Sequence, residues 1–185
     1  MTQLEYADKN IITPLMKRVS TQEGISSALM LKRIKSGKIV LPLNNKHKLK
    51  KPCAIGLGLS TKINANIGTS TDKSEIKDEL EKLRVACEYG TDTVMDLSVG
   101  GDIKGLRRQI LRRSPVPVGT VPVYELVVTA QKKKGEFFKI YHRRYIGCFA
   151  GTGRRRCGFF YYSCGSNHKK CQRVKEIRKN IGYCV

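Results

Sequence analysis

Up to about Phe138 the apolar residues follow two rhythms, one helical and one strand-like, which alternate along the chain. Thr13 before Pro14 reads as an N-cap followed by the first helical residue. Ser26 or Ser27 opens a second helical run through Leu29, Met30, Leu31 and Ile34, which Gly37 stops. Lys38 to Leu43 (KIVLPL) reads as a short extended piece, and residues 1–54 together form a helical lead-in.

Beyond Gly56 and Gly58 the alternation becomes regular. Thr61 to Asn66 (TKINAN) is a strand ending in polar residues. Ser70 to Asp72 cap a helix whose apolar positions Ile76, Leu80, Leu83 and Val85 run on to Gly90. Thr93 to Leu97 (TVMDL) is the next strand. Gly100 and Gly101 turn the chain, and Asp102 caps a helix carrying Ile103, Leu106, Ile110 and Leu111 that Pro115 ends. Val116 to Tyr124 (VPVGTVPVY) supplies a third extended segment. Strand, helix, strand, helix, strand with brief connections predicts an α/β fold with a parallel sheet and right-handed crossovers. A (β/α)8 barrel and a doubly wound sheet both fit, and both gather ligands at the C-terminal ends of their strands. Those ends carry Asn64, Asn66, Met95, Asp96 and Tyr124.

Each of these residues also has a plain structural role open to it. Asn66 suits the turn before Gly68, Met95 suits the core, and Tyr124 suits a strand with its hydroxyl satisfied locally. Gly100 and Gly101 fit a tight turn better than an anion-binding one.

Composition adds a second picture. The 185 residues are 40% hydrophobic, enough for one domain with a core. The N-terminus lacks the basic start and apolar run of a signal peptide, and the apolar stretches are strand-sized, so a cytoplasmic protein outside the membrane is expected, its cysteines reduced. The formal net charge of +21 raises nucleic acid as a partner, yet about half of it lies in residues 139–185, where twelve Lys and Arg face a single acid, Glu176. Five of the seven cysteines, Cys148, Cys157, Cys164, Cys171 and Cys184, lie in the same tract.

The strings NANIGTS (Asn64 to Ser70), DELEKLRVA (Asp78 to Ala86), DTVMDLSVGGDI (Asp92 to Ile103) and SPVPVGTVPVYE (Ser114 to Glu125) resemble the phosphomethylpyrimidine synthase family, as does the start, MTQLEYA followed by ITPLMK. The likeness runs almost without gaps to about Gly135. It implies a (β/α)8 barrel enzyme of thiamine biosynthesis that rearranges aminoimidazole ribotide into hydroxymethylpyrimidine phosphate. It also implies radical chemistry from S-adenosylmethionine on a 4Fe-4S cluster, a zinc-type metal held by histidines, and a homodimer. On this reading residues 1–54 are the lead-in and 55–137 the first three or so β/α units. Asn66, Met95 and Tyr124 become substrate-binding residues. The family's C-x2-C-x4-C cluster motif has no match in this sequence, and Ser60 stands in GLST where the family carries a basic residue.

Residues 138–185 invite three readings. As a metal site the tract has the wrong spacing, since Cys157, Cys164 and Cys171 are seven apart. As a nucleic-acid-binding segment it offers Arg154, Arg155 and Arg156 beside Phe159, Phe160, Tyr161 and Tyr162 to pair phosphates and stack bases. The third reading is translation in a shifted frame. Displaced by one base, the codons for Phe159 to Gly165 can spell FFTIHAG, a string the resembled family carries, with its substrate-binding histidine where Ser163 stands. Arg143 to Cys157 can spell EDILDVLQEQAEEGV and Asn180 to Cys184 ILDIV. Glutamate codons shifted by one base become arginine codons, so the charge and the cysteines arise as by-products. The junction falls between about Gly135 and Tyr141. The expectation is a chain without catalytic activity and a tract that packs poorly on the rest; the competing expectation is a basic nucleic-acid-binding protein that uses residues 139–185.

Overall fold

The computed structural model describes residues 1–131 apart from 45, 46, 48 and 74, together with the pair 159–160. Three short helices open the chain: α1 (Gln3–Asp8), α2 (Pro14–Gln22) and α3 (Ser27–Lys35). Each starts on a side-chain cap that satisfies an otherwise orphaned backbone N–H. Thr2 forms a capping box with Glu5, the Thr13 hydroxyl accepts from the Met16 amide ahead of Pro14, and Ser26 accepts from Leu29. Gly37, at a φ of 69°, takes the left-handed turn that stops α3. A two-stranded antiparallel ribbon, β1 (Ile39–Val40) and β2 (Ile55–Gly56), completes this part. Ala7, Met16, Val19, Met30, Ile34, Ile39, Leu41 and Ala54 form its core.

The second part alternates strand and helix: β3 (Asn64–Ile67), α4 (Ile76–Glu88), β4 (Thr93–Asp96), α5 (Ile103–Arg113), β5 (Val118–Thr120) and α6 (Pro122–Gln131). Its strands are parallel and lie in chain order, β3-β4-β5. Side chains alternate across each strand. Ala65, Ile67, Val94 and Val118 point to one face and share a core with Leu80 and Leu83 of α4 and Leu106, Ile110 and Leu111 of α5. Both helices therefore cover the same side of the sheet. The opposite side carries Asn64, Asn66, Thr93, Met95 and Gly119, a polar row that would be anomalous in a sheet sandwiched between two helical layers.

Four details differ from the sequence reading. Helix α4 starts at Ile76 behind Glu75, because Ser70 is engaged in its own turn, where its Oγ accepts from the Lys73 amide at 3.0 Å. The first strand of the sheet extends one residue further, to Ile67, which pairs with Asp96. The third extended segment ends at Thr120; Pro122 has no N–H to lose at a first helical position and starts α6, so Tyr124 lies on a helix rather than at a strand end. Finally, a fourth strand, β6 (Phe159–Phe160), lies parallel to β5, with Gly119 opposite Phe159 and Thr120 opposite Phe160. The rest of the basic tract, including Ser163 and its five cysteines, lies outside the described residues. No described helix is long and apolar enough to cross a membrane.

Candidate functional site

The loops after β3 and β4 are fastened together at the C-terminal ends of the strands. Leu97 donates its amide to Ile67, Val99 donates to Thr69, the Thr69 amide donates to Ser98 Oγ at 3.2 Å, and Thr69 Oγ1 donates to the Gly100 carbonyl at 2.7 Å. Glycine is required twice here. A Cβ on Gly68 would lie 2.6 Å from the Ser98 nitrogen, and one on Gly100 would lie 1.9 Å from the Ser70 oxygen. Both are backbone contacts that no rotamer change relieves, which accounts for the glycines in the NANIGTS and SVGGDI strings. The N-terminus of α5 is already filled, since the Asp102 carboxylate accepts from the Gly105 amide at 2.9 Å. The Gly100–Gly101 segment is accordingly a tight turn rather than an anion cradle.

Asn66 and Met95 are register partners on adjacent strands and share the face opposite α4 and α5. Gly119, the register partner of Met95, continues the row on β5 and is buried. Thr93 donates to Asn64 Oδ1 at 2.8 Å, and Asn64 Nδ2 donates to Asn66 Oδ1 at 2.8 Å. This chain of bonds engages the Asn66 carboxamide through its Oδ1, and no hydrogen bond of its Nδ2 is seen among the described residues. Tyr124 is 39% exposed on the first turn of α6, after the end of β5. The structure thus brings Asn66 and Met95 side by side and sets Tyr124 beyond the next strand, on a helix.

Beneath this row lies a feature the sequence reading missed. Arg107 is fully buried in α5, with Nε donating to Asp96 Oδ2 at 2.8 Å and Nη1 to Glu125 Oε2 at 2.7 Å. Asp96 also accepts from the amide and the hydroxyl of Ser98. A signal was present: Ile103, Leu106, Arg107, Ile110 and Leu111 fall at the i, i+3, i+4, i+7 and i+8 positions of one helix face, and a cation on an apolar stripe demands a buried partner. Glu79 is a second buried acid, accepting from the Gly68 amide at 2.6 Å and pairing with Lys82. Ser60 also acquires a role. Its amide and hydroxyl both donate to Glu23, which pairs with Lys62 and so joins the lead-in to the segment just before β3.

A radical reaction from S-adenosylmethionine needs thiolates to hold its cluster. Among the described residues no group of three His, Cys, Asp or Glu side chains is placed to hold a metal ion. Burial, reinforced by Asp92, pushes the Cys53 thiol up to about 11, and burial raises that of Cys87 as well, so both are protonated at neutral pH. The described residues do not fit an iron-sulfur cluster. A cleft of about 740 Å³ lies toward the opposite end of the sheet, between α4, Arg113 and Pro115; its carboxylates Glu81 and Glu88 are paired with Arg84.

Parallel strands in chain order with α4 and α5 packed over one face define a β/α protein. The chain belongs to the Radical SAM ThiC family, whose profile matches residues 2–184. The match continues through the basic tract, past the limit near Gly135 expected from the strings quoted above. The chain is 44% identical over 176 residues to a phosphomethylpyrimidine synthase of Thermoanaerobacter sp. (strain X514), covering 95% of this chain and 41% of that protein. It is 49% identical over 140 residues to one from Moorella thermoacetica, covering 76% and 32%. A Dehalococcoides mccartyi relative is 44% identical over 165 residues, covering 89% and 38%. The chain spans 32–41% of the length of these curated relatives. Membership of a radical SAM family implies S-adenosylmethionine and an iron-sulfur cluster.

Proposed function

We propose that this chain is the substrate-binding front part of a phosphomethylpyrimidine synthase, a carbon-carbon lyase that converts aminoimidazole ribotide to hydroxymethylpyrimidine phosphate in the cytoplasm, and that the chain by itself is inactive. The observation that carries the reading is the row on the face opposite α4 and α5. Asn66 presents a fixed carboxamide beside the Met95 thioether, with Tyr124 beyond Gly119, so that a flat heterocycle with a ribose meets a donor, an apolar wall and a phenol. Chain-ordered parallel strands, with α4 and α5 sharing one core on one face, support a (β/α)8 barrel over a doubly wound sheet, in which strand order reverses. The cluster, the zinc and the homodimer interface belong to the intact enzyme.

Residues 138–185 are read as translated in a shifted frame. Strand β6 is compatible with this, since Phe159 and Phe160 read the same in both frames and lie beside β5 as the next barrel strand would, whereas the family match through residue 184 weighs against it. The test restores the frame by one base between codons 135 and 141. With reductant, iron, sulfide and S-adenosylmethionine, the restored protein forms the pyrimidine phosphate and the chain as given forms none. Product from the chain as given overturns the inactivity, and downstream DNA that encodes no further family strands in any frame overturns the shift.

A further inference from the structure

We infer that Arg107 is a positioning residue that fixes Met95 and Tyr124 relative to each other. The inference rests on the assignment of those two residues to the substrate site. Arg107 holds the next residue in each case, Asp96 through Nε and Glu125 through Nη1. Asp96 ends β4 and Glu125 lies in the first turn of α6, so one guanidinium ties a strand end to a helix start across β5. The side chains of Arg107, Asp96 and Glu125 are 1%, 0% and 8% exposed. Asp96 transmits the constraint further, because its Oδ1 also holds the amide and hydroxyl of Ser98 in the loop that fastens β4 to β3.

Energetics favour this role over a purely stabilising one. Ion pairs taken fully out of water roughly break even against apolar replacements, because desolvation cancels most of the attraction. Geometry is what such a pair supplies. A planar guanidinium engages two carboxylates through different edges at fixed angles, which a lysine ammonium does not reproduce. Glu125 has a further cation 3.9 Å away in Lys104, but that side chain is 63% exposed and lies outside the buried set.

The experiment uses the methionine methyl groups of the full chain, labelled with carbon-13. Four methionines, Met1, Met16, Met30 and Met95, give four signals, and Met16 and Met30 report on the separate core of the lead-in. Two variants are compared with the parent: Arg107→Lys, and the triple replacement Asp96→Asn, Arg107→Met, Glu125→Gln, which removes all three charges together and so avoids a stranded buried charge. In both, the Met16 and Met30 signals stay in place and the ligand-free Met95 signal moves. Titration with aminoimidazole ribotide shifts Met95 in the parent, and its affinity falls at least tenfold in both variants. A Met95 signal unmoved in a folded triple variant, or affinity within twofold of the parent, overturns the inference. A parent chain that does not bind the ribotide counts against the substrate assignment, and the ligand-free Met95 signal still decides the role of Arg107.

Discussion

The lead-in and the β/α part bury their apolar surface in different ways, and the difference shows what each needs. In the lead-in, three capped helices and a ribbon contribute Ala7, Met16, Val19, Met30, Ile34 and Ile39 to a core against which Tyr6, Ile12, Leu15, Ile25, Leu31 and Leu59 also pack. The β/α part packs its core on one face of a sheet. Helices α4 and α5 cover Ile67, Val94 and Val118, while Asn66 and Met95 point to the opposite face, and among the described strands β3 stands at one end of the sheet with Ile63 65% exposed beside it. A sheet edge is a row of backbone donors and acceptors seeking another strand. The two parts thus keep separate apolar cores but are tied to each other, with the Lys50 and Lys51 amides donating to the Pro115 carbonyl and Ser60 donating to Glu23.

The largest test of that contrast empties the two cores in turn. Leu106→Ala and Met30→Ala each cost about 2–5 kcal/mol. Hydrogen exchange then shows protection lost around the truncated core and retained in the other; simultaneous loss in both would make the two parts one cooperative unit. Next comes pH. Cys53, with a thiol at about 11 in the fold against 9.0 unfolded, keeps its proton when the unfolded chain has lost it. Stability from this group is complete below about pH 9 and falls as pH rises toward 11. Cys53→Ala flattens that limb of a urea-denaturation series against pH, and an unchanged limb would show the thiol to be solvated. Thr13→Ala and Asp102→Ala each remove an N-cap, one in each part, at about 1 kcal/mol as read from denaturation midpoints. The smallest effect on stability, within about 0.5 kcal/mol, comes from Ile63→Lys at the sheet edge. It nonetheless reduces self-association in light scattering if that edge seeks partners, and unchanged scattering would exonerate β3.

The elements legible in the sequence were those with a local cause. Thr13–Pro14, Ser26, Gly37, Gly90 and Asp102 mark helix boundaries through caps and left-handed turns that involve neighbours only. Asn66 and Met95 could be singled out because the end of a parallel strand is itself a local reading. Tyr124 reads as part of a strand because proline breaks both kinds of element, and Pro122 starting a helix looks the same as Pro122 ending a strand. Ser70 reads as a cap for a similar reason: its polar side chain serves a turn as readily as a helix.

What the sequence determined alone is the order of the elements, their caps and the two apolar periods, because these arise from contacts within a few residues. The partnership of Arg107 with Asp96 and Glu125, the zipping of the Gly68 and Gly100 loops, and the alignment of Asn66 with Met95 were decided only by the tertiary structure. Each joins groups 11 to 31 residues apart, and such groups meet only once the strands have taken their register and the helices their face.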